Sequence, residues 1–184
     1  CYIVAEIGGN FITFDQAKKL VDEAHGCGVD AIKLQTYKAD TIASKKAMFD
    51  MENTGVVSQY ELFQKYEISE ALHREVFNYI ARKGLDWFST PSHESDVDLL
   101  EKLGVGAYKI GSDDAVNTPF LKYIAKLGKP ILLSTGMCTM EEVRDSVSAI
   151  LEEGNEKIIF LHAVTSYPTR PEHVNLTAMQ AMMR

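Results

Sequence analysis

The sequence predicts an α/β domain made of parallel βα units, and three observations carry that expectation. Short, continuously apolar, β-branched runs alternate with amphipathic stretches along the chain, the pattern of parallel strands joined by crossover helices. Most of the strand-like runs have no polar face, as in strands covered on both sides. Glycines close the amphipathic stretches at Gly26, Gly84, Gly104, Gly128 and Gly154, where a left-handed residue commonly ends a helix.

Six strands are expected, at Tyr2–Ile7, Val29–Gln35, Leu85–Ser89, Ala107–Gly111, Pro130–Ser134 and Lys157–Val164. The first helix opens on Thr13 with Gln16 three residues later, a capping-box spacing, and its buried stripe is Ala17, Leu20, Val21 and Ala24. Ser69 caps the next long helix, with Leu72, Val76, Phe77 and Ile80 as its stripe. Val97, Leu100 and Leu103 lead to Gly104. Thr118 followed by Pro119 reads as a cap and a first-turn proline, ahead of Leu121, Ile124 and Ala125. Thr139 with Glu142 is a second capping box, before Val143, Val147, Ile150 and Leu151. A last helix is expected after Asn175. Thr36–Ser69 has no clean period and reads as a long loop with one short helix over the strand ends. A run of six parallel strands fits either an open doubly wound sheet or part of a (β/α)8 barrel.

The bulk properties exclude several function classes. Among 184 residues, 19 basic and 26 acidic side chains leave a net charge of −7, a poor match for duplex nucleic acid or an anionic membrane surface. An apolar fraction of 46% with 24% charged residues is that of a folded soluble domain. No apolar run reaches the ~18 residues of a membrane span. Cys1, Cys27 and Cys138 are odd in number and widely spaced, which predicts free thiols in a reducing cytoplasm rather than disulfides or a thiolate zinc site.

Ligands of parallel α/β folds sit where strands end, so the polar residues there are the candidates. Glu6 ends the first strand; Lys33 and Gln35 the second; Ser89 and Thr90 the third; Lys109 and Ser112 the fourth; Ser134 and Thr135 the fifth; His162, Thr165, Ser166 and Tyr167 the sixth. Two lysines inside apolar strands are costly unless an anion meets them. Lysine and hydroxyl donors together suit a phosphate or carboxylate. No Walker loop is present, and Gly8-Gly9 is too short for a dinucleotide fingerprint, so a small phosphorylated ligand is expected rather than a nucleotide. Glu6 is a candidate base, metal contact or hydroxyl acceptor, or else a structural carboxylate holding one of the lysines. Asp113 and Asp114 follow the fourth strand. His162 reads as a hydrogen-bonded core histidine; His25, His73, His93 and His173 read as surface residues.

The strings Ala5-Glu6-Ile7-Gly8, Lys33-Leu34-Gln35-Thr36-Tyr37, Phe88-Ser89-Thr90-Pro91, Ala107-Tyr108-Lys109-Ile110-Gly111-Ser112, Leu133-Ser134-Thr135-Gly136-Met137 and Ser166-Tyr167-Pro168 together resemble the sialic acid synthases, including the pseudaminate and legionaminate synthases. The resemblance implies a (β/α)8 barrel, incomplete here at about six βα units. Residues 1–184 are then a partial barrel domain, lacking the last strands and a C-terminal antifreeze-like domain. It implies condensation of phosphoenolpyruvate with an N-acyl hexosamine (N-acetylmannosamine, its 6-phosphate or a related sugar), forming a nonulosonic acid and releasing phosphate. A divalent Mn²⁺ or Mg²⁺ and a cytoplasmic homodimer come with it.

By the same resemblance, Lys33 and Lys109 hold phosphoenolpyruvate, with Thr90, Ser112 and Ser134 completing the cradle. Glu6 stands near the sugar aldehyde and metal, Gln35 and Tyr167 hold the sugar, and Asp114 stands near the carbon that water attacks. Thr165 falls where some members have Asn or Ser, and Asn10-Phe11-Ile12-Thr13 departs from the family's Asn-His-Asn-Gly. The family's metal-binding histidines follow later strands, so no metal ligand is assigned within this chain. The alternatives are a lysine Schiff-base aldolase using Lys109 and a non-catalytic partial barrel that binds an anion or a partner chain.

Overall fold

A computed structural model describes residues 1–51, 55–166 and 168–183. The chain divides into two compact units, Cys1–Gly106 and Ala107–Arg184, each a succession of parallel βα repeats. The fold is α/β, an incomplete form of the (β/α)8 pattern. No described helix is long and apolar enough to cross a membrane.

The first unit runs β1 (Val4–Glu6), α1 (Phe14–Gly26), β2 (Ala31–Thr36), α2 (Ala39–Ile42), β3 (Met48–Met51), β4 (Gly55–Ser58), α3 (Gln59–Tyr66), α4 (Glu70–Arg82), β5 (Asp86–Pro91) and α5 (Glu94–Leu103). Strand β2 lies between β1 and β5, parallel to both. The register aligns Glu6 with Lys33, Leu34 with Ser89, and Gln35 with Thr90. Side chains alternate across a strand, so Lys33 and Gln35 share one face of β2 while Leu34 and Thr36 share the other.

The second face packs on helices. Ala17 and Val21 of α1, and His73, Val76, Phe77 and Ile80 of α4, are buried. Phe77 stacks on Trp87 at 4.3 Å, and Phe14 meets Tyr79 edge-on at 5.8 Å. Burying each large apolar side chain contributes about 1.5–3 kcal/mol. Asp22 ties the outer ends of α1 and α4 together. It pairs with Lys18 at 2.8 Å and Lys83 at 2.6 Å and accepts from the Tyr79 hydroxyl at 2.7 Å.

The expected loop at Thr36–Ser69 is corrected here: it holds α2, an antiparallel β3–β4 hairpin and α3. Eight strands are therefore present among the described residues, six of them parallel. The hairpin needs no helical period; its strands pair antiparallel from Met48–Ser58 to Met51–Gly55, where Gly55 takes φ +66°. Tyr37 and Phe49 both meet Phe63 of α3, at 5.2 and 5.8 Å. Glu67 fixes α2 by accepting from Lys38 Nζ and the Ala39 N–H, both at 2.8 Å.

The second unit runs β6 (Tyr108–Ile110), α6 (Thr118–Ala125), β7 (Ile131–Ser134), α7 (Met140–Leu151), β8 (Ile158–Leu161), a 3₁₀ turn (Pro171–His173) and α8 (Thr177–Met182). Strand β7 is parallel to β6 on one side and β8 on the other, with Lys109 aligned to Leu132 and Ser134 to Leu161. Tyr108, Ile110, Ile131 and Leu133 are fully buried, as are Leu121 and Ile124 of α6 and Ile150 of α7.

Both expected capping boxes form, at Thr13–Gln16 and Thr139–Glu142. One cap is corrected: Asn117, not Thr118, opens α6, its side chain accepting from the Phe120 N–H. Asn caps at least as well as Thr, and a first-turn proline needs no N–H partner.

Candidate functional site

In the first unit, the register of β1 and β2 sets Glu6 beside Lys33, and their carboxylate and ammonium form an ion pair. The Lys33 side chain is 14% exposed and that of Glu6 36%. Lys33 Nζ also donates to Thr90 Oγ1 at 3.1 Å. The other Glu6 oxygen accepts from the Gly8 N–H at 2.6 Å, which fixes the carboxylate at the strand's end. Gly8 is required there because a Cβ would come 2.5 Å from the Gln35 backbone nitrogen and 2.8 Å from Glu6 Oε1. Gln35 is half-buried on the same strand face as Lys33. The structure thus brings together Glu6, Lys33, Gln35 and Thr90. The sequence left Glu6 open between a chemical and a structural role; in this structure its carboxylate holds a lysine.

On the opposite face of the same strands lies a polar chain that the sequence did not predict. Thr36 Oγ1 lies 3.0 Å from His73 Nε2 and 2.7 Å from Ser89 Oγ. His73 Nδ1 lies 3.0 Å from the Ser69 carbonyl. His73 was expected at the surface and is 1% exposed, a correction with a plain cause. It precedes Val76, Phe77 and Ile80 by three, four and seven residues, the spacing of a buried helical stripe. Burial is the main influence lowering its pKa from the ordinary 6.5, and the Lys38 charge adds to it; the Ser69 and Gln35 carbonyls pull the other way.

In the second unit, Lys109 extends from β6 on the face it shares with Leu132. Its ammonium donates to the Ile110 carbonyl at 2.7 Å. Desolvation pulls its pKa down to about 8, against the opposing charge of Asp113. Asp114 is half-buried, and burial, reinforced by Asp113, raises its carboxyl above the ordinary range, while Asn117 lowers it by hydrogen bonding. Ser112 and Ser134 are buried, at 7% exposure each. The Ser112 carbonyl accepts weakly from the Cys138 thiol at 3.9 Å. Thr135 donates to the Leu161 carbonyl at 3.2 Å. Thr165 is exposed and reaches the Gly136 carbonyl at 3.4 Å. Gly136 admits no side chain, since a Cβ would lie 2.7 Å from the Ala163 carbonyl oxygen. His162 Nε2 lies 2.6 Å from the Val174 carbonyl, so it is hydrogen-bonded as expected, though only half-buried. Tyr167 lies outside the described residues.

Among the described residues, no group of three or more His, Cys, Asp or Glu side chains is placed to hold a metal ion. Glu6 in particular is committed to Lys33 and the Gly8 amide.

Comparison with known proteins agrees with the strand-end strings. The NeuB family profile matches residues 20–184. An uncharacterized protein of Methanocaldococcus jannaschii is 40% identical over 182 residues, covering 98% of this chain and 51% of its own length. The N,N'-diacetyllegionaminic acid synthase of Campylobacter jejuni is 37% identical over 187 residues, covering 98% of this chain and 56% of its own. A solved N-acetylneuraminic acid synthetase of Leptospira borgpetersenii, in complex with citrate, superposes with a TM-score of 0.84 at 27% identity, over 98% of this chain and 60% of that one. The chain spans about half the length of the curated relatives it matches. With a profile that covers most of its length and named synthases among its relatives, the chain belongs to the NeuB family.

Proposed function

We propose that the protein takes part in condensing phosphoenolpyruvate with an N-acyl hexosamine to give a nonulosonic acid and inorganic phosphate. The observation that carries this reading is a strand-borne ammonium group, Lys33, already bonded to a hydroxyl, Thr90, on one sheet face. Such donors suit the phosphate or carboxylate of a small acid, and the relatives named above supply the sugar-acid class.

In this reading Lys33 and Lys109 each hold negative charge on phosphoenolpyruvate. Fixed cations of this kind also stabilise charge that develops as the C–O bond to phosphate breaks. Glu6 keeps Lys33 aimed through their ion pair. Gln35, Thr165 and Tyr167 serve the sugar, Ser112 and Ser134 donate to the phosphate, and Asp114 stays available to manage a proton. The test is phosphate release on mixing the protein with phosphoenolpyruvate, candidate N-acyl hexosamines and Mn²⁺. Turnover with one hexosamine is expected; its absence with all of them overturns the reading.

One observation favours a second reading. A lysine whose pKa falls to about 8 carries a usable fraction of free amine near neutrality, as a Schiff-base nucleophile requires. Borohydride trapping with pyruvate separates the two: an adduct on Lys109 supports the aldolase, and none is expected for the synthase.

A further inference from the structure

The polar chain behind the lysine face has a defined direction. The Ser69 carbonyl can only accept, so the His73 Nδ1 facing it at 3.0 Å carries the proton. In the neutral ring Nε2 is then a bare acceptor, and the Thr36 hydroxyl, 3.0 Å away, donates to it. The remaining acceptor capacity of Thr36 takes the Ser89 hydroxyl at 2.7 Å. Thr36 and Ser89 are each one residue along from Gln35 and Thr90, which are aligned partners across β2 and β5. The chain from α4 therefore grips the ends of both strands from the face opposite Lys33.

We propose that His73 is a positioning residue for the anion-holding face: by accepting from Thr36 it fixes the Thr36–Ser89 bridge, and so the placement of Thr90 on the Lys33 ammonium and of Gln35 on the same strand face. This rests on the functional reading above. The arrangement is buried throughout, with Thr36 and His73 at 1% exposure and Ser89 at 0%, so water cannot replace a lost partner. The polar groups left behind then pull on the strand ends instead. Protonation of Nε2 reverses the direction of the first link, because an imidazolium donates, with Thr36 and the Gln35 carbonyl as its acceptors.

The test titrates phosphoenolpyruvate, and separately inorganic phosphate, into the full chain by calorimetry at pH 7.5. Wild type is compared with His73→Gln, whose amide oxygen reproduces the Nε2 acceptor, His73→Asn, which is too short to reach, and Thr36→Val, which removes the donor. The Asn and Val variants should bind about tenfold more weakly, the worth of roughly one buried hydrogen bond, and the double variant no worse than either. The Gln variant should stay within about threefold of wild type. Nitrogen-15 spectra should show His73 protonated at Nδ1 and bare at Nε2. Unchanged binding in both the Asn and Val variants, or a proton on Nε2 at this pH, overturns the proposal while leaving the anion site intact. Absence of binding by wild type overturns the functional reading, and the positioning role with it.

Discussion

The two units place a lysine in the same kind of position, inside a short parallel strand, and treat it differently. In the first, Lys33 meets a carboxylate on the neighbouring strand and a hydroxyl on the next. In the second, Lys109 is more strongly defined by what burial removes: its bond to the Ile110 carbonyl leaves its pKa depressed to about 8. A buried ammonium stabilised by a fixed counter-ion is part of the scaffold as well as the site. One bonded to a carbonyl, with a carboxylate such as Asp113 acting on it only through its charge, is stabilised fully only when an anion arrives. The first unit thus presents a preset cation and the second a tunable one.

The sharpest way to break this comparison is to remove each ammonium in turn. Lys33→Ala and Lys109→Ala should each weaken phosphoenolpyruvate binding by about thirtyfold or more in calorimetry. Their melting behaviour should diverge. Lys33→Ala strands the Glu6 carboxylate and should cost about 1–3 kcal/mol, below the buried-pair range because Glu6 is partly solvated. Lys109→Ala removes a desolvated charge and should leave stability unchanged or raised. Equal destabilisation by both substitutions would erase the distinction.

Next in size are the two close approaches. Gly8→Ala and Gly136→Ala drive a methyl group onto backbone atoms at 2.5 and 2.7 Å respectively, and each should cost about 2 kcal/mol in denaturant melts. The pH profile comes third. Lys109 is an ammonium below its folded pKa, so anion affinity should fall as pH rises through about 8. A Lys109→Arg variant, charged throughout, should flatten that decline. Thr13→Ala and Thr139→Ala serve as an even-handed control, since both delete the cap of a complete capping box; each should cost about 1 kcal/mol. The smallest effect concerns His73. Its folded pKa is lowered from 6.5, so the unfolded chain binds the proton first. Stability should be whole above about pH 6.5 and diminish as pH falls through the folded value. His73→Gln should remove that component.

What was readable in the sequence was local or periodic. The capping boxes sit within three residues of the helix starts they serve, and the six parallel strands announced themselves as apolar runs closed by polar residues. The lysines were legible because charge inside an apolar run is costly wherever it folds. What the sequence hid was pairing at a distance. That Glu6 meets Lys33 depends on the β1–β2 register, and that His73 meets Thr36 depends on how α4 lies across β2 and β5. The signal for a buried His73 was nonetheless present in its spacing to Val76, Phe77 and Ile80; its polarity argued the other way, and the hydroxyl that reconciles the two lies 37 residues away. The hairpin was missed because two four-residue strands are too short for periodicity to register, with Gly55 as the one usable mark.

That hairpin has a consequence for how such a protein can diversify. It interrupts the chain between two parallel strands whose mutual register is fixed independently, by the β2–β5 ladder and by α4. The entropy of closing a loop grows only with the logarithm of its length, about 0.6 kcal/mol per doubling. The excursion through α2, the hairpin and α3, between Thr36 and Ser69 and excluding both, is therefore a segment that insertion and deletion can remodel while the parallel ladder stays in step. That stretch gives a lineage room to experiment at little thermodynamic risk.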